Sequence, residues 1–191
     1  ALIAAIRTYS DVKDIDELLD VESKLKEIKK GKKASIVIDT NVPCFPFDEP
    51  REYQKLAFES WKKNKQKGLF AMATGTGKTI TSLNCLLEIY KHSDYYKALI
   101  LVPTITLVEQ WEKECRKFHF NKIIKVSSKN NNWKEEVAKI KIGERLSSTG
   151  RENSYIIIST YSSFAKESTF YDLNDFPKGK LLLIADEVHN M

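Results

Sequence analysis

Leu69-Phe-Ala-Met-Ala-Thr-Gly-Thr-Gly-Lys-Thr-Ile80 is the stretch on which the fold turns. It reads as a short apolar strand, a glycine-bearing turn and the start of a helix. Gly75 and Gly77 lack a Cβ, so the turn can bend tightly and point successive backbone N–H groups inward. A helix beginning near Lys78 adds unpaired N–H groups and the positive end of its dipole. Lys78 supplies a mobile charge for outer phosphates, and the Thr79 hydroxyl can ligate Mg2+. This is the anatomy of a Walker A phosphate loop built from Thr74, Gly75, Thr76, Gly77, Lys78 and Thr79. It departs from the motif at one point, because the first motif glycine falls at Met72. A Gly-Lys-Thr triplet alone would fit any turn with an exposed lysine; the strand before it and the amphipathic helix after it give it weight.

Upstream, the prolines at 43, 46 and 50 forbid regular structure and mark a boundary. They separate an N-terminal region, residues 1–47, from residues 48–191. The first region holds a helical pattern, a lysine-rich tail over 24–33 and a strand candidate, Ser35–Ile38. The lysines read as a solvated helix end before they read as a nucleic-acid contact. From Asp48 to Gln66 the sequence predicts a helix capped by Asp48 or Glu49, with Tyr53, Leu56, Ala57, Ser60 and Trp61 facing inward. Gln54 within it carries both an amide donor and an acceptor, which can pair with an adenine edge.

Downstream, an amphipathic helix continues from the loop to about His92. Ala98–Val102 is an unbroken apolar run, as expected of a strand buried on both faces. Thr104 can cap a helix running to Phe118. Lys122–Val126 is a shorter strand, Trp133–Ile142 a helix, residues 143–154 a surface loop, and Tyr155–Ser159 a third buried strand. Short strands alternating with longer helices predict a parallel sheet covered on both faces, with ligands beyond the carboxyl ends of the strands.

Leu181-Leu-Leu-Ile-Ala185 then runs straight into Asp186-Glu187-Val188-His189. Four aliphatic residues followed by an acid make a Walker B pattern. Asp186 would hold Mg2+ through water opposite Thr79, and Glu187 is placed to orient or deprotonate an attacking water. Two such motifs in one predicted sheet point to ATP and Mg2+.

Composition sets broad limits. A net charge of +5 permits a polyanionic partner without demanding one. Cys44, Cys85 and Cys115 lie far apart and, with three scattered histidines, give no zinc signature; they read as reduced, buried thiols. The opening Ala-Leu-Ile-Ala-Ala-Ile run is too short for a signal or a membrane span, which favours a cytoplasmic protein. The chain opens on alanine and stops soon after Asp186-Glu187, which reads as a piece of a longer protein.

Residues 48–190 resemble the first motor domain of the superfamily 2 helicases and translocases of the Asp-Glu-x-His type. The nearest branch is that of type I and type III restriction enzyme motors and excision-repair helicases. Met72–Thr79 is similar to motif I of that branch, where the first glycine is often replaced. Arg51-x-Tyr53-Gln54 resembles its adenine-reading motif. Leu101-Val-Pro-Thr104 with Leu107, Gln110 and Trp111 resembles motif Ia, Ser159-Thr160-Tyr161 the next strand-contacting motif, and Asp186–His189 motif II. The resemblance implies a RecA-like P-loop fold, with Arg51 and Gln54 at the nucleotide and Lys78 and Thr79 on its phosphates and magnesium. It implies Glu187 as catalytic base and His189 as the group that couples nucleotide state to motion. Pro103, Thr104, Thr160 and Tyr161 would touch a nucleic-acid backbone, with DNA favoured over RNA. The family's motor has a second domain that supplies arginine fingers. This chain would therefore bind nucleotide weakly and hydrolyse it slowly alone. The parent protein would carry that second domain, with room for a nuclease or other effector. The competing reading is a nucleotide-gated nucleic-acid-binding module that changes shape without translocating. A kinase or GTPase fares worse, since no Asn-Lys-x-Asp motif occurs.

Overall fold

The computed structural model describes residues 42–73, 75–147, 153–174 and 181–187. The helix and strand predicted before residue 42, Thr74 and His189 lie outside them. Among the described residues no helix is long and apolar enough to cross a membrane.

Four parallel strands form the centre: β1 (Lys97–Val102), β2 (Ile123–Val126), β3 (Tyr155–Thr160) and β4 (Leu182–Ala185), in the order β2-β3-β1-β4. β1 lies between β3 and β4, and all six of its residues are buried, which is why its sequence does not alternate. Successive residues still go to opposite faces. Ala98, Ile100, Val102, Ile156 and Ile158 meet Leu83, Leu87, Val108 and Trp111, from the two helices α2 (Lys78–Ser93) and α3 (Ile105–Lys117). Leu99, Leu101, Ile124, Tyr155 and Ile157 meet Val137 of α4 (Trp133–Leu146) and Leu173 of α6 (Glu167–Asn174) on the other face. Full burial of each such aliphatic side chain is worth about 1.5–3 kcal/mol, so both layers are needed to hold the sheet.

The remaining helices are α1 (Glu52–Lys63) and the one-turn α5 (Tyr161–Phe164). α1 starts later than the sequence suggests. Arg51, not Asp48 or Glu49, is its N-cap, and the backbone N–H of Arg51 donates to Gln54 Oε1 at 3.0 Å. Trp61 is buried as expected, but the rest of the inward face differs: Gln54 is buried, whereas Tyr53, Leu56 and Ser60 are exposed. The physical reason is tertiary, because Gln54 is drawn onto the glycine turn described below.

Two strand expectations change. The Leu69–Met72 run is not a strand and takes no place in the sheet, and Leu69 is 77% exposed. An apolar run becomes a strand only when a neighbour completes its ladder, and among the described residues this one has none. β4 forms as predicted, but among the described residues it pairs on one side only, with β1, so it is an edge of the described sheet and Leu183 is 59% exposed. The loop predicted over 143–154 begins later, since α4 continues to Leu146. The helices at 161–174 were not legible, their Ser/Thr-rich sequence showing no apolar stripe.

Cys85 and Cys115 are buried, and burial pushes the Cys85 thiol up to about 12 and raises that of Cys115 as well. Cys44 is exposed, against the expectation that all three would be inside, with Sγ 3.6 Å from His119 Nδ1.

Candidate active site

The glycine turn takes the backbone shape that its composition allows. Gly75 and Gly77 have φ of 79° and 89°, a left-handed region that costs most side chains about 1–2 kcal/mol. Gly77 is the N-cap of α2, and its carbonyl accepts from Thr81 N at 2.9 Å and Thr81 Oγ1 at 3.1 Å. Thr76 closes the turn by donating through Oγ1 to the Ala73 carbonyl at 2.6 Å.

The Arg51-x-Tyr53-Gln54 segment is built onto this turn. Tyr53 donates its hydroxyl to the Thr76 carbonyl at 2.7 Å, and Arg51 Nη1 donates to the same tyrosine oxygen at 3.0 Å. Gln54 is 7% exposed, and its Nε2 lies 3.5 Å from the Gly77 carbonyl. A Cβ added at Gly77 would sit 2.6 Å from that same Nε2. Gly77→Ala is therefore expected to destabilise the fold by about 1–3 kcal/mol, from left-handed strain and displacement of a buried amide. Urea unfolding measures it; stability within about 0.5 kcal/mol of the parent would show that the turn tolerates a side chain.

Lys78 opens α2, and its Nζ lies 3.6 Å from Glu187 Oε1. Asp186 and Glu187 follow β4 directly, so the sheet delivers both carboxylates to the strand ends facing the glycine turn. Asp186 is fixed by three elements. Its backbone N–H donates to the Leu101 carbonyl of β1 at 2.9 Å. The Tyr161 hydroxyl donates to its carbonyl at 2.7 Å, and the Trp111 indole Nε1 donates to its Oδ2 at 2.8 Å. Glu187 has φ 54°, left-handed without being glycine. Lys78, Ser82, Trp111, Asp186 and Glu187 line one cavity of about 590 Å3, whose other wall is the 68–73 segment and β4. That volume suits a small organic ligand.

Thr79 is half-buried on the first turn of α2 and is not among the cavity's lining residues. Thr104 is exposed and caps α3, accepting from Leu107 N at 3.3 Å; Pro103 beside it is half-buried. Thr160 is 3% exposed and caps α5, accepting from Ser163 N at 3.1 Å. Thr160 and Tyr161 thus spend their hydroxyls inside the protein, the latter on Asp186. Burial, with the nearby Asp186 charge, raises the Tyr161 phenol above its ordinary value. Val102 and Thr160 are register partners, so Pro103-Thr104 and Tyr161 emerge side by side from one sheet edge.

Sequence reasoning missed the Trp111–Asp186 hydrogen bond. A signal existed: a buried indole N–H needs an acceptor. The choice of acceptor depends on two segments 75 positions apart in the chain.

A parallel sheet with helices on both faces, a glycine turn opening a helix, and an Asp-Glu pair at a neighbouring strand end together define a RecA-like P-loop domain. The chain belongs to the family described as type III restriction enzyme, res subunit, which it matches over residues 47–191. This makes it a helicase-type motor domain. Over 70 residues it is 39% identical to the DNA 3'-5' translocase XPB2 of Sulfurisphaera tokodaii, covering 37% of this chain and 15% of the relative. It is 32% identical over 112 residues to Helicase SWR1 of Saccharomyces cerevisiae, covering 56% of this chain and 7% of the relative. Putative helicase 22 of a Sulfolobus islandicus filamentous virus is 28% identical over 145 residues, covering 74% of this chain and 24% of the relative. The chain thus spans less than a third of the length of each of these relatives.

Proposed function

We propose that this chain binds and hydrolyses ATP as the first of two motor domains in a DNA helicase or translocase. The observation that carries the reading is the meeting of Lys78 with Asp186 and Glu187 in one cavity, from positions 108 residues apart for the first two (186 − 78). In this reading the 74–77 backbone and the α2 N-terminus cradle the phosphates, and Lys78 pairs with the outer ones. Arg51 and Gln54 flank the base. Thr79 and Asp186 hold Mg2+. The donor set suits that ion: a hydroxyl and a carboxylate, all oxygen. Among the described residues no group of three or more His, Cys, Asp or Glu side chains forms a metal cage, so nucleotide phosphates and water would complete the sphere. Mg2+, when bound, neutralises phosphate charge.

Glu187 takes the general-base role, holding the attacking water and accepting its proton. Its carboxylate pairs with Lys78 in the structure, so phosphates drawing Lys78 away would release Glu187 toward that water. His189 would couple this state to motion. Pro103 and Thr104 contact a nucleic-acid backbone without reading sequence, with Thr160 and Tyr161 supporting the adjoining strand end. DNA is favoured because one relative is itself a DNA translocase by name.

The test is steady-state ATP hydrolysis by the intact protein with duplex DNA, RNA or neither. Duplex DNA is expected to raise the rate about fivefold or more, the usual scale of coupling between sites. Stimulation by RNA alone would overturn the DNA assignment. Tight ATP-dependent DNA binding with negligible turnover would favour the gated binding module instead.

A further inference from the structure

We infer that Trp111 is a positioning residue for the metal-facing carboxylate of Asp186, with Tyr161 anchoring the peptide beneath it. This rests on the nucleotide-site reading given above. Trp111 lies on α3 and is 2% exposed, yet its indole N–H reaches Asp186 Oδ2 at 2.8 Å. An indole nitrogen donates and never accepts, so the direction of the bond is fixed, with the Asp186 carboxylate as the acceptor. It holds one oxygen of Asp186; among the described residues Oδ1 makes no hydrogen bond. Tyr161 Oη and the Leu101 carbonyl hold the Asp186 peptide from both sides, at 2.7 and 2.9 Å. With backbone and one oxygen fixed, the carboxylate can present Oδ1 to a cation in a single orientation. Outer partners of this kind characteristically set the affinity of the metal they do not touch. Trp111 is also a wall of the same cavity as Lys78 and Glu187, so it lies beside the ligand it would help to hold.

The substitutions that isolate this role are Trp111→Phe and Tyr161→Phe, each of which keeps an aromatic ring and deletes a donor. The readout is binding of a fluorescent ADP analogue to the full chain, with excess Mg2+ or with EDTA. The ratio of the two dissociation constants measures what the metal adds. Trp111→Phe is expected to lower that ratio about tenfold, because a change in the cavity wall alone would weaken both constants alike and cancel in the ratio. Tyr161→Phe, acting one step further away, should lower it by a smaller factor. A ratio identical to the parent's in Trp111→Phe would overturn the proposal, as would equal losses with and without metal, which indicate a packing role. If Trp111→Phe fails to fold, the parent answers alone. The indole N–H resonance of Trp111, distinguished from those of Trp61 and Trp133 by Phe substitutions there, should shift further on adding Mg2+–ADP than on adding ADP in EDTA. No metal-dependent shift would overturn the proposal. Absence of any ADP binding by the parent, with or without metal, would instead remove the nucleotide-site reading itself.

Discussion

Replacing Lys78 with alanine should weaken ADP binding at least tenfold and leave the fold intact. The side chain is partly exposed, and its contact with Glu187 is a long one at 3.6 Å. Exposed pairs of this kind contribute about 0–1 kcal/mol, so little stability is lost with it. Its expected role toward phosphate is larger. A hydrogen bond to a charged group is worth about 1.5–3 kcal/mol, which is roughly 10- to 150-fold in a dissociation constant. Hydrolysis by the intact protein should fall further, by about a hundredfold or more, because the lysine's positive charge also stabilises the negative charge developing during transfer. Titration with a fluorescent ADP analogue checks binding, and phosphate release checks turnover. Parent-like affinity and rate in Lys78→Ala would show that the glycine turn is not a phosphate loop.

The second large effect concerns a charge with no part in that chemistry. Lys97 begins β1 with a fully buried side chain, and its Nζ lies 2.6 and 2.8 Å from the two carboxylate oxygens of Glu144 on α4. The ammonium also sits 5.2 Å from the Tyr95 ring centre and 5.9 Å from that of Tyr155. Lys97→Met retains the volume but strands the Glu144 carboxylate, whose side chain is only 11% exposed. Breaking a buried pair from one side costs about 3–5 kcal/mol. In a domain of this size that corresponds to a melting midpoint lower by roughly 10 °C. Lys97→Met with Glu144→Leu should recover most of the loss, since an apolar pair of similar volume is often neutral or better. A single Lys97→Met substitution within about 1 kcal/mol of the parent by urea unfolding would show that the pair is solvated and adds little.

Much of the frame was legible because its cues are local. Ala98–Val102 and Tyr155–Ser159 carry no polar interruption, and a strand covered on both faces needs none. Thr104 announced its helix through a side chain suited to a free N–H. What failed depended on partners. Leu69–Met72 has the composition of a strand but lacks a described neighbour to complete a ladder. Leu183 looks like core and is exposed because β4 stands at an edge of the described sheet. Gln54 reads as an amide free to pair with a base, and it is buried because Gly77, with no Cβ, lets that amide approach. The site shows the same division: the turn and the Asp-Glu pair were visible in the sequence, whereas the Trp111 and Tyr161 hydrogen bonds that hold Asp186 required the assembled sheet.

Drawing Lys78 from the start of α2 and Asp186 from just past β4 means that neither segment makes this cavity alone. A molecule gripping both would act as a clasp on the whole sheet, present in the folded chain and missing from the unfolded one. At a hundred times its dissociation constant such a clasp adds about 2.7 kcal/mol, so melting curves with and without nucleotide report how firmly the two ends are joined.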